Sequence, residues 1–406
     1  MSLNGCIPAH TIPVKVPTGT ALQQDPPTLF TPLKIRGLEM QNRIVVSPMG
    51  TWSAEHGHLT DFHLVHYGEL AFRGPGLTVI EATSVLPNGR TSPQDSGLWA
   101  DSQIAPLKRV VDWIHSRSQK VGIQLGHAGR KSSMLAPEMA PTRAPAIATE
   151  SEGGWPDDVW APSALPYSRE YVTPKPLSVE GIRCLVQAFA DATRRAVQAG
   201  VDFIELHAAH GYLAHQFLSP LTNTRTDEYG GSFENRIRFL LECVEAVRAE
   251  MPSSIPLSIR ISATEWMEWA VERPSWDMEQ SLRLAKILAD MGVDILDVSS
   301  GGNHSEQRIL LEPNYQLDLA HSIRQALRRD GIGMLVAAVG FIDSPEVARK
   351  TTQATDGEDE KRTADLAFVG RACLRDPSFV LRSAKELGVA VQWPFQFQMA
   401  LRKRLM

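Results

Sequence analysis

The chain has 406 residues, of which 43% are hydrophobic and 21% charged, and a formal net charge of −5 at pH 7. That balance excludes a polyanion-binding surface, so no nucleic-acid partner is expected, and the length suits one barrel of about 250 residues or more with insertions. Cys6, Cys184, Cys243 and Cys373 are too scattered for a zinc or iron–sulfur motif, the first residues lack the apolar core of a signal peptide, and no stretch is apolar enough to span a bilayer; no metal, no membrane contact and a cytoplasmic location are the expectations.

Beyond an N-terminal arm over residues 1–29, apolar or β-branched runs recur in chain order: RIVVSP from Arg43, LTVIEA from Leu77, VGIQLGHAG from Val121 and VDFIELHAAHG from Val201. PLSIRIS from Pro256, VDILDVSSG from Val293, GMLVAAVG from Gly333 and ADLAFVGR from Ala364 follow. Their continuous apolar character predicts parallel strands buried on both faces. Helical patterns separate them. In the clearest, Ile182, Leu185, Val186, Phe189 and Val197 approximate one face and Gly200 marks the stop; the next runs from a Ser232 cap, with Asn235 at the third position, to Pro252. Eight strands alternating with helices predict an α/β fold, a (β/α)8 TIM barrel over residues 30–390.

Two stretches break the alternation. Residues 132–176, after the third strand, are too Pro-rich for a regular helix and are expected to form a lid over the barrel mouth. The charge-rich run TTQATDGEDEKRTAD is expected to be a solvated loop.

In such a barrel the residues closing each strand converge on one face. Here they are Ser47, Pro48 and Met49; Glu81 and Ala82; Gln124; His207 and His210; Arg260; Ser300 to Gly302; Val339 and Gly340; and Gly370 and Arg371. Glycines and an arginine after strands six to eight would let backbone N–H groups approach a phosphate. The stretch ELHAAHGYLAH brings His207, His210, Tyr212 and His215 close together, but HAAH lacks the glutamate of a zinc-protease motif; His215 and His127 read as structural. GPGLTV from Gly74 precedes its strand, so it is no dinucleotide fingerprint.

FTPLKIRGLEMQNRIVVSPM, GIQLGHAGRKS, ELHAAHGYLAHQFLSPLTNTRTDEYGGSFENR and FVGRACLRDP, in this order, resemble the Old Yellow Enzyme family of FMN-dependent ene-reductases, in the branch typified by thermostable bacterial members, from about Phe30 to Asp376. The resemblance implies FMN held non-covalently by Ser47, Pro48, Met49, Gly50, Ala82, Gln124, His207, Arg260, Ser300, Gly301, Val339, Gly340, Gly370 and Arg371, with Gln124 at the pyrimidine edge and Arg260 near the part of the ring that becomes anionic. It further implies that NAD(P)H, more often NADPH, serves as reductant in ping-pong turnover. His207 and His210 would hold the carbonyl oxygen of an α,β-unsaturated small molecule, and Tyr212 would donate a proton.

The departures are as informative. Gly50 replaces a cysteine that tunes the flavin, Trp52 replaces a substrate-contacting tyrosine, and Phe397 and Met399 stand where a tyrosine and an arginine reach into a neighbouring subunit. These changes suggest a specialised substrate, such as a biosynthetic intermediate. Desaturation or double-bond isomerisation on the same flavin is the alternative, and a non-catalytic flavin-binding protein a more remote one. The tail over residues 391–406, with Trp393, Phe395, Phe397 and Met399, is a candidate homodimer contact.

Overall fold

The computed structural model describes residues 16–140, 142, 144–354 and 362–401. The first described elements form a short antiparallel hairpin, β1 (Leu33–Ile35) and β2 (Leu38–Met40). Eight parallel strands then close into a barrel: β3 (Ile44–Val46), β4 (Leu77–Ser84), β5 (Val121–Gly126), β8 (Phe203–Ala208), β9 (Leu257–Ser262), β10 (Ile295–Ser299), β11 (Leu335–Val339) and β12 (Leu366–Val369), with β12 pairing back onto β3. All eight coincide with the apolar runs of the sequence. Two two-residue strands, β6 (Trp160–Ala161) and β7 (Lys175–Pro176), pair in the insertion after β5.

The helices form as their caps and periodicity require. In the helix Val179–Ala199 the Ser178 hydroxyl accepts from the Gly181 N–H, satisfying a donor that the helix leaves unpaired, and Gly200 ends it in the left-handed region at φ 94°. Ser232 caps the helix Phe233–Glu250 in the same way, through the Asn235 N–H. Their buried faces pack against each other and the outside of the barrel.

One part of the barrel's closure was not read from the sequence. Ile35, Leu38 and Met40 of the β1–β2 hairpin pack on Val45, Leu77, Val79, Phe203, Ile295, Ala337, Leu366 and Phe368, a separate apolar cluster that plugs the N-terminal end of the barrel. With three residues per strand, neither arm shows a periodicity long enough to register. The barrel therefore has an apolar floor, and its polar interior opens at the C-terminal end of the strands.

Of the expected solvated loop over 351–365, residues 355–361 lie outside the described residues, as do residues 1–15 of the arm and the end of the tail. Its two ends are not solvated, since Thr351 and Thr352 finish a helix and, like Ala364 and Asp365, are buried. Where the tail is described, Phe397 packs edge-on against Phe72, ring centroids 5.1 Å apart, beneath the Arg73 guanidinium of its own chain. Trp393 packs on the core, while Phe395 and Met399 remain exposed. Half of the apolar surface expected for a partner is thus covered internally. Among the described residues no helix is long and apolar enough to cross a membrane.

Candidate active site

Inside the barrel, adjacent strands set charged side chains in one layer. Register pairs Ala82 with Gln124, Gln124 with Glu205, His207 with Arg260 and Arg260 with Asp297. Glu205 accepts from Gln124 Nε2 and from Ser258 Oγ, each at 2.8 Å. The Arg260 guanidinium sits 3.5 Å from Glu205, pairs with Asp297 and donates to Ser47 Oγ at 2.9 Å. All three charged groups are buried, leaving two carboxylates to share one guanidinium. Burial raises the Asp297 carboxyl against the pull of Arg260, with Glu205 adding to the rise.

β4 carries a register shift between Ile80 and Ala82, a bulge at Glu81. The bulge sends Glu81 out of the barrel to α1 (Asp61–Phe72), where it accepts from Tyr67 Oη and, from a neighbouring loop, Ser96 Oγ. Burial opposes the Glu81 charge, but His63, Ser96 and Thr51 outweigh it and hold the carboxyl below its usual range. This buried cluster anchors the Met49–Trp52 loop from below; within the loop Trp52 is held at φ 50°, in the left-handed region that an indole rarely occupies.

The strand β8 ends at Ala208, and the turn that follows carries the expected triplet. His207 Nδ1 accepts the Ala209 N–H at 3.2 Å, which places the ring proton on Nε2. His210, at φ 59°, has Nε2 2.7 Å from Ser299 Oγ. The His207 ring lies edge-on to both His210 and Tyr212, at centroid separations of 5.1 and 4.8 Å. Burial holds His207 well below its usual range and, with Arg260 and Lys131 nearby, pushes His210 down to about 3; both imidazoles are neutral near pH 7. Burial, with Asp95 and Tyr171 adding to it, holds the Tyr212 phenol well above its ordinary value, so it keeps its proton.

Two cavities flank this turn. The larger, of about 400 Å³, brings together Ser47, Pro48, Met49, His210, Arg260, Val339, Gly340, Gly370 and Arg371 from the sequence-derived set. It adds Tyr315, Gln316, Phe341 and Arg375, which sequence reading missed. Arg371 and Arg375 have no ion-pair partner among the described residues, and a Cβ on Gly340 would come within 2.4 Å of Gln316 Nε2. The smaller, of about 260 Å³, is lined by Trp52, Tyr212, Lys131 and, from the 132–176 insertion, Met134, Leu135 and Tyr171 among others. Ala82 and His207 line a narrow cleft beside Tyr212. Gln124 stays inside the barrel on Glu205, Ser300 donates to Gln316 Oε1 at 2.9 Å, Gly301 donates its N–H to the Thr264 carbonyl, and Gly50 is exposed.

The two histidines read as structural each accept a backbone N–H, and His127 also lines the narrow cleft beside Tyr212. His215 is buried 3.4 Å from Glu265, with Nδ1 accepting the Gly211 N–H, and His127 Nδ1 accepts the Gly129 N–H. A cavity of about 790 Å³ lies near the barrel floor between the arm and the hairpin, lined by Pro17, Gln23, Met40, His115 and Lys120 among others; none of the strand-end residues at the mouth reaches it.

Comparison with known proteins places the chain in a family. Residues 28–389 match the model of the NADH:flavin oxidoreductase / NADH oxidase family. An NADH:flavin oxidoreductase of Gibberella zeae is 44% identical over 398 residues, covering 94% of this chain and 93% of the relative. The NADPH dehydrogenase of Bacillus subtilis is 38% identical over 373 residues, covering 91% and 98%. Among solved structures, morphinone reductase superposes with a TM-score of 0.68 at 28% identity, covering 91% of each chain, and its complex with tetrahydroNAD with 0.69 at 27%, covering 91% and 93%.

Proposed function

The chain belongs to the Old Yellow Enzyme family of FMN-dependent NAD(P)H oxidoreductases, and from that premise we propose that it reduces the activated C=C bond of an α,β-unsaturated carbonyl compound. The observation that carries this reading is the His207–Tyr212 pair: an imidazole with its proton on Nε2 and a protonated phenol, 4.8 Å apart between rings, next to a buried guanidinium.

The residues present suit FMN. Arg371 and Arg375, without acidic partners among the described residues, together with the backbone at Gly340 and Gly370, would hold its phosphate. Ser47 to Met49, Gly50, Ala82, Gln124, His207, Ser300, Gly301 and Val339 would contact the remainder, with Arg260 supplying positive charge. When bound, FMN accepts a hydride from NAD(P)H and passes it to the substrate's β-carbon. As the π pair moves toward the carbonyl, charge develops on its oxygen; His207 Nε2–H, and His210 once it turns from Ser299, stabilise that charge where water is excluded. Tyr212 then delivers its phenolic proton to the α-carbon and regains one from solvent. The 132–176 insertion, with Tyr171 beside Tyr212 and facing Trp52, would act as the lid that selects substrate.

Under nitrogen, turnover of an enone should consume NADPH one for one. Conversion of an unsaturated substrate without NADPH consumption would instead mean isomerisation.

A further inference from the structure

Arg130 and Lys131 follow β5 on the same loop, and among the described residues neither has an ion-pair partner, although Glu265 lies close enough to Arg130 to act on its charge. Arg130 donates instead to the carbonyls of Leu165 and Pro166, each at 3.2 Å, and to that of Asn303. Lys131 Nζ donates to the carbonyls of His210, at 2.9 Å, and Gly302, and rests 4.1 Å from the centre of the Tyr167 ring. Two adjacent cations therefore gather three separate segments: the insertion, the turn after β8, and the loop after β10.

Those segments also meet without slack. A Cβ on Gly211 would lie 2.3 Å from the Gly302 carbonyl oxygen, and one on Gly302 would lie 2.6 Å from the His210 Cα. The His210 backbone is in the left-handed region, which for a non-glycine residue persists only when its surroundings impose it. Lys131 bonds the carbonyl of that very residue.

We propose that Lys131 is a positioning residue for the His207–His210–Tyr212 turn and that, with Arg130, it ties this turn to the Leu165–Tyr171 segment, so that substrate contact on the insertion is relayed to the groups holding the reacting oxygen. The inference rests on the ene-reductase reading above. An ammonium bonded to carbonyls transmits position through charge-assisted hydrogen bonds, which are about twice as strong as neutral ones. Their strength depends on the proton: burial, with Arg130 alongside, pushes Lys131 down to about 7. The other titratable or charged groups facing it are Tyr167, His207, His210 and Tyr212.

The test uses the full-length, FMN-loaded enzyme, reduced anaerobically with dithionite and mixed with 2-cyclohexen-1-one or with oxygen while flavin absorbance is followed. Lys131→Met should slow reoxidation by the enone about 100-fold, the loss expected of a roughly 1 Å displacement of catalytic groups, while FMN content and reoxidation by oxygen stay unchanged. In the unsubstituted enzyme the enone rate should fall as pH rises through about 7; Lys131→Arg, which cannot lose its charge there, should restore most of the rate and remove that fall. An enone rate for Lys131→Met within about threefold of the original, against that 100-fold expectation, overturns the proposal. So does a loss shared equally by the oxygen reaction or by FMN content, which would mark a purely structural residue. If the unsubstituted enzyme reduces no enone at all, the ene-reductase reading itself fails and takes the proposal with it.

Discussion

The two ends of this barrel are built on opposite principles. At the floor, the hairpin and the first residues of the strands form an apolar cluster, where Phe203 is fully buried and lies against Gly122 so closely that a Cβ there would come 2.5 Å from its ring. At the mouth, Glu205, Asp297, Arg260, Arg130 and Lys131 are withdrawn from water, and Trp52, His210, Trp266 and Phe341 all adopt left-handed backbone. The floor contributes stability through packing, whereas the mouth keeps groups that burial penalises and holds them by hydrogen bonds. The floor side also holds buried charge, in the Arg324–Asp365 pair just ahead of β12, but there the acid is matched by arginine; strained backbone and buried ionisable groups that line a cavity mark where chemistry is done.

Paired substitutions would separate the two ends most sharply. His207→Ala should lower the rate of enone reduction about 100- to 1,000-fold and leave the urea midpoint nearly unmoved. Phe203→Ala should do the reverse, removing about 3–5 kcal/mol of stability while the folded fraction keeps its turnover number. If either variant moves both readouts equally, the division between floor and mouth is wrong.

A smaller effect should appear in acid. The folded-state value of His210 is depressed to about 3, so its stabilising contribution is complete above the unfolded value of about 6.5 and is lost as pH falls toward 3. The stability difference between the unsubstituted chain and His210→Asn should therefore shrink between pH 7 and 4 in thermal melts; a constant difference would show that His210 is not buried in neutral form. Smallest of all, Trp52→Gly should raise stability by about 1 kcal/mol by relieving the left-handed backbone, partly offset by the lost indole packing, and should alter KM more than kcat.

Much of this was legible in the chain because parallel barrel strands are buried on both faces and read as unbroken apolar runs. Position at a strand end then indicated most of the mouth. Glu205 and Asp297 carried an unused signal, an acid inside an otherwise apolar strand, which in a closed barrel has only the interior to face. The hairpin escaped notice because three residues hold no period. Lys131 could not be read, since its partners are carbonyls 79 and 171 positions away, and a carbonyl has no residue type. Arg375, Gln316 and Phe341 likewise owe their place to how helices and loops return over the mouth.

Gly50 and Trp52 sit two residues apart on the same loop but leave very different room for change. Trp52 is confined by its backbone: glycine, asparagine or aspartate would tolerate that conformation, and most replacements would have to deform the loop. At Gly50 the backbone is not left-handed, and a Cβ would meet nothing within 4 Å. New substrate preferences in descendants of this enzyme, natural or selected in the laboratory, should therefore arise first from side chains added at position 50, where no protein atom stands in the way and only bound FMN would limit their size, with position 52 following only after the loop itself has been remodelled.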